Sequence, residues 1–351
     1  MFATSSPFDC AGERSAQGLI GLLEAALAAR ESLFDANHQT GFRLFNGFTE
    51  GNPNLVTDLY ARTALIHNYA EAPADGEPAV HATQDFLRER LPWLRCILLK
   101  TRSGCSPQEK QGTIIYGTKP DDRLREHGVW YALDLQMNRD ASFYLDTRNL
   151  RRWAIDNLGG KSVLNTFAYT GSLGVAAKAG GAARVVHIDL NRAFLNVAKT
   201  SYTLNGFPID KKDFQSADFW PQVNHLKRAG QTFDCVFLDP PFFASTPKGA
   251  VDLQNNSARL INKVRPLVND GGALVAINNA LFLSGQDYMQ TLAALCADGY
   301  LEIETLIPVP EDFSGYPQTR AGNPPVDPAP FNHATKIAVL RARKQAGIFI
   351  V

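Results

Sequence analysis

Two aspartates each close an apolar run. Asp189 follows Arg184 to Ile188, and Asp239 follows the run that begins at Phe233. A carboxylate at the end of a buried strand can accept hydrogen bonds from both hydroxyls of a ribose, which is the chemistry read at Asp189. Asp239 runs on into Pro240, Pro241, Phe242 and Phe243. The prolines restrict the backbone and leave their carbonyls free as acceptors. The phenylalanines offer a stacking face to a planar base. A small-residue turn, Ala168 with Tyr169, Thr170 and Gly171, stands upstream of Asp189. Backbone N–H groups at such a turn and at the start of the helix after it form an electropositive mouth for a cofactor.

These residues need a particular scaffold. Ser162 to Phe167 is short and apolar enough for a buried strand, Ser172 to Ala179 reads as a helix, and Gly180 and Gly181 stop it. Strand, turn, helix, strand, acid is the front half of a nucleotide-binding α/β fold. Parallel strands require that crossover. The dinucleotide signature GxGxxG is absent; Gly171 and Gly174 supply only GxxG. The turn is therefore poor for a pyrophosphate and better for a cofactor with ribose and adenine but no phosphate. S-adenosylmethionine leads on that ground. A purely structural βαβ unit and a nicotinamide dehydrogenase are the alternatives. Asp239 lies about fifty residues beyond Asp189 and would point into the crevice outside the strand ends, where open α/β sheets bind ligands.

A chain of 351 residues is long enough for a sizeable core and two domains. Lys plus Arg equals Asp plus Glu, 35 against 35, which leaves room for a local basic patch only. Five scattered cysteines without a CxxC pair favour a reducing cytoplasm and give no zinc site or disulfide framework. No metal-ligand cluster is visible, and His187, inside a strand, reads as core. The N-terminus lacks a signal-peptide pattern, and no apolar run approaches membrane-spanning length.

The expected division is a tail and helix over 1–35, a small α+β domain over 36–136 and a larger α/β domain over 137–351. Met1 to Glu13 is expected to be poorly ordered, with a helix from Ser15 to Phe34. Strands are expected near Leu55–Tyr60, Ala64–Tyr69, Leu94–Lys100, Gly112–Tyr116 and Gly128–Leu135, around a helix Val80–Arg90 that comes after a loop at Pro73–Pro78. Further on come a helix Asn191–Asn205, a strand Asp210–Phe214, a loop Ala244–Asp252, a helix Leu253–Val268 and a strand Ala273–Asn278. A helix Gln286–Ala297 and strands Leu301–Val309 and Thr335–Arg343 complete the reading. Between the last two, Glu311 to His333 is rich in Pro and Gly and reads as a substrate-facing loop.

FYLDTRNLRR, LNTFAYTGSLGVAA, VVHIDLNRAFLNVAKTSYTLNG, FDCVFLDPPFF and GGALVAINNALF succeed one another between about Met137 and Leu283. In order and spacing they resemble the class I S-adenosylmethionine-dependent methyltransferases. More narrowly they resemble the large-subunit ribosomal RNA enzymes that make 5-methylcytosine or 7-methylguanine. The resemblance implies a Rossmann-like seven-stranded sheet with a smaller N-terminal α+β domain. It implies S-adenosylmethionine as cofactor and ribosomal RNA as partner, with no metal, no membrane and the oligomeric state open. It carries cofactor contacts onto Phe143, Asp146 and Arg148, onto Asn165, Phe167, Tyr169, Thr170 and Gly171, onto Asp189 and Leu190, and onto Asp218, Phe219 and Asp239. Asp218 would face the adenine amino group; an ordinary helix N-cap is its plain alternative. Arg148 and Arg152 read equally well as a solvated helix face. The family's N-terminal RNA-binding PUA domain is expected to be missing, with a single helix in its place.

Asp239, Pro240, Pro241, Phe242 and Asn278 are the expected catalytic set. Carbon-5 of cytosine is a poor nucleophile and normally needs a cysteine thiolate added at carbon-6. The 5-methylcytosine branch carries that cysteine where this chain has Asn278 and Asn279. Cys235 reads as core and Cys296 falls late in a helix. The 7-methylguanine branch has a Ser-Asn-Asn run there, so a purine nitrogen is favoured, with Asn278 or Asn279 on the base edge. Arg148, Arg151, Arg152, Lys248, Arg259, Lys263 and Arg320 are candidate phosphate contacts. A methyltransferase acting on a protein or small molecule, and a non-catalytic binding protein with the same fold, are the competing readings.

Overall fold

The computed structural model describes residues 9–344. Part of the expected N-terminal tail therefore lies outside the described residues. The described residues form two compact units that interleave in sequence: residues 9–126, 133–145 and 311–323 in the smaller, and 127–132, 146–310 and 324–344 in the larger. The expected division placed boundaries after residues 35 and 136, whereas these two units each draw on three separate stretches.

The smaller unit begins with α1, Asp9–Ala29, which starts earlier than Ser15. A five-stranded sheet comes next in the order β1 (Gly41–Asn46), β2 (Leu55–Tyr60), β3 (Thr63–Asn68), β4 (Cys96–Thr101) and β5 (Thr113–Gly117). A one-turn helix α2, Gly47–Glu50, links β1 to β2. Helix α3 runs Pro73–Arg90, so Pro73–Pro78 is its first turns and not a loop. Pro73 takes the first helical position, where no N–H is needed. A short α4, Pro107–Gln111, is closed by a reciprocal capping box between Ser106 and Glu109, and β6, Arg123–Glu126, ends this part of the chain. Alternation sorts the sheet: Phe42, Leu44, Leu59 and Ile66 join Leu19, Leu23 and Ala26 of α1 and Val80 and Leu87 of α3 in one core. Arg43, Asp58 and His67 alternate with those residues and interact with one another.

Residues 311–323 close over this unit. Arg30 is fully buried and donates to both carboxylate oxygens of Glu50 at 2.9 and 3.0 Å, and to the Asp312 carbonyl at 3.3 Å. The Asp312 carboxylate accepts the Arg43 N–H at 2.9 Å, Asn46 donates to the Phe313 carbonyl, and the Thr319 hydroxyl donates to Glu50. This part of the Glu311–His333 segment is a strap anchored on a buried ion pair.

The larger unit carries β7 (Val129–Ala132), α5 (Arg148–Asn157), β8 (Ser162–Thr166), α6 (Ser172–Ala179), β9 (Arg184–Asp189), α7 (Arg192–Leu204), β10 (Phe214–Ser216), α8 (Phe219–Arg228) and β11 (Phe233–Leu238). Then come the hairpin β12 (Phe243–Thr246) and β13 (Gly249–Asp252), α9 (Leu253–Val264), β14 (Val268–Asn278), α10 (Gly285–Cys296), β15 (Leu301–Leu306) and β16 (Lys336–Ala342). The hairpin replaces the expected loop Ala244–Asp252. Helix α9 stops at Val264, because Arg265–Leu267 tightens to a 3-10 turn at Pro266 and the chain enters β14. Strand β10 begins where the expected strand ended, since Lys211–Asp213 is also a 3-10 turn.

Seven strands form one sheet in the order β10-β9-β8-β11-β14-β16-β15. Neighbours from β10 to β14 pair in parallel, while β16 is antiparallel to both β14 and β15. This is the Rossmann-like seven-stranded arrangement that the motifs implied. The strand order turns back between β8 and β11, so a crevice opens beyond their carboxyl ends.

Candidate functional site

The turns that leave the carboxyl ends of the strands build the crevice. After β8 the chain makes a strained turn: Phe167 and Tyr169 hold positive φ of 52° and 49°, and Gly171 adopts 79°. Two non-glycine residues in the left-handed region are costly and persist only where the surroundings fix them. The Ala168 N–H donates to the Ile188 carbonyl at 2.9 Å, and the Tyr169 N–H donates to Asp189 Oδ2 at 2.8 Å. Helix α6 then packs tightly on the sheet. A Cβ on Gly174 would lie 2.3 Å from His187 Cε1, and one on Gly171 would lie 2.6 Å from Ala198 Cβ. Gly174 thus serves close packing of helix on strand, the last of the roles glycine plays in dinucleotide turns, and Gly171 lets the turn approach α7.

Asp189 ends β9. Its Oδ1 accepts the Asn191 N–H at 2.8 Å, so each oxygen has one backbone donor and keeps lone-pair capacity toward the crevice. Burial raises its pKa against the opposing pull of those two hydrogen bonds. Leu190 beside it is 63% exposed. Asp218 caps α8 through the Trp220 N–H at 2.9 Å, leaving its other oxygen without a partner among the described residues. Phe219 stacks on Phe167 with ring centroids 4.5 Å apart, which joins the β8 turn to the start of α8. Phe167, Tyr169, Thr170, Gly171, Asp189, Leu190, Asp218 and Phe219 therefore belong to one edge of the sheet.

Asp239 comes after β11 on the same edge. Burial, and after it the negative charge of Asp146, push its carboxyl up to about 7. Asp146 precedes α5 and accepts the Thr335 hydroxyl at 3.1 Å. Two carboxyls thus share one region, and no cation among the described residues forms an ion pair with Asp239. Pro240 is buried and Pro241 exposed, and Phe242 and Phe243 present their rings to solvent. Leu281 and Phe282 are exposed beyond the neighbouring β14.

Four of the expected residues are buried. Asn278 is fully buried; its Nδ2 donates to the Leu253 carbonyl at 3.1 Å and its Oδ1 accepts the Ala280 N–H at 2.9 Å. That amide holds the strand end together, and the exposed member of the pair is Asn279. Asn165 is buried in β8 with its amide nitrogen 3.4 Å from His187 Nδ1. Odd and even positions of a strand face opposite sides, and Asn165 takes the side of the core histidine. Phe143 is buried within the smaller unit, where its carbonyl accepts the Tyr60 hydroxyl at 3.1 Å. Arg151 is fully buried, donating to Thr147 Oγ1 at 2.7 Å over the Tyr131 ring, so it does not serve as a phosphate contact. Arg148 opens α5 half-buried, and Arg152 pairs with Asp156 on the exposed helix face. His187 behaves as read: fully buried, stacked on Phe214, bonded to Tyr202, and pulled down to about 3 by burial.

Sequence reasoning missed Lys336. It is fully buried at the start of β16, paired in register with Asn278, and donates to the carbonyls of Ala280 at 2.9 Å and Ala334 at 2.7 Å. Burial brings its ammonium down to about 8. It ties the turn that presents Asn279, Leu281 and Phe282 to the segment that bonds Asp146. A lysine opening an apolar strand, KIAVL, was the one available sign.

Among the described residues no group of three or more His, Cys, Asp or Glu is placed to hold a metal, and no helix is long and apolar enough to cross a membrane. The family profile for S-adenosylmethionine-dependent methyltransferases matches residues 118–320, more than half of the chain. Ribosomal RNA large subunit methyltransferase I of Shewanella amazonensis is 30% identical over 283 residues, 78% of this chain and 69% of that one. The protein of that name from Photobacterium profundum is 28% identical over 291 residues, 80% and 71% of the two chains. The crystal structure of SMU.776 complexed with SAH superposes with a TM-score of 0.79 at 21% identity, over 93% of this chain and 82% of that one, a likeness of fold. An acid at the end of β9, a phosphate-poor turn and an Asp-Pro-Pro edge at the switch point agree with the profile: the chain belongs to the S-adenosylmethionine-dependent methyltransferase family and uses that cofactor.

Proposed function

We propose that this methyltransferase modifies a base of ribosomal RNA at a purine ring nitrogen. The observation that carries the choice of base is the composition of the strand-end edge. It offers an exposed amide, Asn279, and exposed rings, Phe242, Phe243 and Phe282, but among the described residues no thiol. Cys235 is sealed inside β11 with its thiol pushed well above the usual range by burial. Cys296 closes α10, and burial raises it as well. A thiolate route to carbon-5 of cytosine lacks its nucleophile. A ring nitrogen with an available lone pair needs only positioning and exclusion of water. The names of the Shewanella and Photobacterium relatives support RNA as the substrate, and free thiols at Cys96, Cys105, Cys235 and Cys296 suit a reducing cytoplasm.

The cofactor supplies a methyl carbon made electrophilic by its sulfonium. Asp189, with spare lone pairs on both oxygens, would accept the two ribose hydroxyls. The open oxygen of Asp218 would accept from the adenine amino group, and Leu190 with the Phe167–Phe219 pair would wall the ring. Asp146 and Asp239 place negative charge where a cation must sit. Pro240 and Pro241 offer carbonyl acceptors, Phe242 a stacking face, and Asn279 a donor and an acceptor to the base edge. Methyl transfer to the nitrogen lone pair requires no proton removal before the bond forms.

Incubation with methyl-labelled S-adenosylmethionine and unmethylated ribosomal RNA transcripts, and then nucleoside digestion, tests this. Label in a methylpurine is expected. Label in 5-methylcytosine would overturn the choice of base, and label only in protein or small molecules would overturn the RNA substrate.

A further inference from the structure

Helices α8 and α9 contain no Asp or Glu, and together they carry His225, Lys227, Arg228, Arg259 and Lys263. The whole chain balances its charges, 35 against 35, so this acid-free pair is a local departure. At its centre lies Trp220, largely buried. The Arg259 guanidinium sits 4.7 Å from the ring centroid and the Lys263 ammonium 5.8 Å. Lys263 donates to Asn224 Oδ1 at 2.5 Å, and neither it nor Arg259 or Lys227 forms an ion pair among the described residues. Desolvation, and then the positive charges of Lys227 and Arg259, hold Lys263 below the ordinary lysine range. The helix macrodipole accounts for cations in the last turns of α8 and α9. It does not account for Arg259 in the middle of α9.

The same indole supports the hairpin. A Cβ on Gly249 would come within 2.4 Å of Trp220 Nε1, so β13 rests directly on the ring. The hairpin is the continuation of Asp239, Pro240, Pro241 and Phe242, and its tip carries the exposed Lys248. Trp220 therefore joins Arg259 and Lys263 to the hairpin that continues from the substrate edge of the sheet. Three neighbouring cations without carboxylates repel one another, and a polyanion relieves that repulsion while gaining charge-assisted hydrogen bonds.

We propose that Lys227, Arg259 and Lys263 bind phosphates of the RNA strand whose target base enters beside Asp239, with Trp220 as the common support of phosphate track and hairpin. This rests on RNA being the substrate. The test is binding of an unmethylated large-subunit ribosomal RNA transcript at several salt concentrations. It compares the unaltered protein, the triple variant Lys227→Gln, Arg259→Gln, Lys263→Gln, and a charge-keeping variant Arg259→Lys, Lys263→Arg. The triple variant is expected to bind about tenfold or more weakly and to lose about two units of the salt slope. Its affinity for S-adenosylhomocysteine should be unchanged, and the charge-keeping variant should bind RNA almost normally. An unchanged RNA affinity and slope in the triple variant would overturn the proposal while leaving the RNA reading intact. So would equal losses in both variants, because charge would then not be what acts. No RNA binding by the unaltered protein would overturn both.

Discussion

Asp189 and Asp239 are both carboxylates at strand ends, yet their surroundings separate them. Asp189 is held by two backbone donors and stays an acceptor; Asp239 has a negative neighbour and no hydrogen bond among the described residues. Replacing Asp189 by Asn removes a charged acceptor worth about 1.5–3 kcal/mol, so S-adenosylhomocysteine affinity should fall at least tenfold in calorimetric titration. Unchanged affinity would remove Asp189 from the site. For Asp239 the folded pKa lies above the unfolded value near 4. Between those limits the folded state binds the extra proton, so stability falls as pH rises from about 4 through about 7. Asp239→Asn should therefore be more stable than the parent at pH 8, by about 1 kcal/mol or more, with the gap closing toward pH 4. Thermal unfolding across that range checks it, and parallel pH profiles would contradict the assignment. Asp189 and Asp239 were legible in sequence because each ends an apolar run. Asn278 was misread because sequence shows that two asparagines close a strand but not which one faces in.

At the scale of elements, the strand-turn-helix at β8 and α6 and the helix α7 agree closely with the reading of periodicity and stop signals. The hairpin β12–β13 does not, since Pro247-Lys248-Gly249 between short mixed segments carries neither alternation nor a strong turn pair. Its anchor, Trp220, lies on another helix and leaves no local trace. Packing also gives glycines opposite meanings. Gly174→Ala should cost about 1–3 kcal/mol, because its methyl meets the buried His187 ring and Val185. Gly21→Ala on the exposed face of α1, with nothing within 4 Å, should gain up to about 1 kcal/mol. Denaturant unfolding of the two variants should move in opposite directions; a stabilised Gly174→Ala would mean that α6 sits further from β9. Lys336→Met leaves two carbonyls without their donor and should cost about 2–3 kcal/mol. RNA turnover should then suffer more than S-adenosylhomocysteine binding, because the turn it holds carries Asn279 and Phe282. Equal losses would make Lys336 a purely structural group.

For the whole molecule, the sequence could suggest two folding units but not their threading, because strap residues such as Asp312 and Phe313 carry no mark of partners some 270 positions away. Arg30→Met should destabilise the smaller unit by about 3–5 kcal/mol by stranding Glu50 in a dry interior. Amide hydrogen exchange over β1 to β3 should rise accordingly, and unchanged protection there would show that the strap is dispensable. Because each unit is assembled from three separate stretches of chain, the gene has no single splice point at which one could be exchanged for that of a relative. A chimera cut once would give a body whose clasp was shaped for another. Recombination in such a lineage must preserve five junctions together, so substrate range is free to change by point substitution on the strand-end edge and hindered from changing by shuffling.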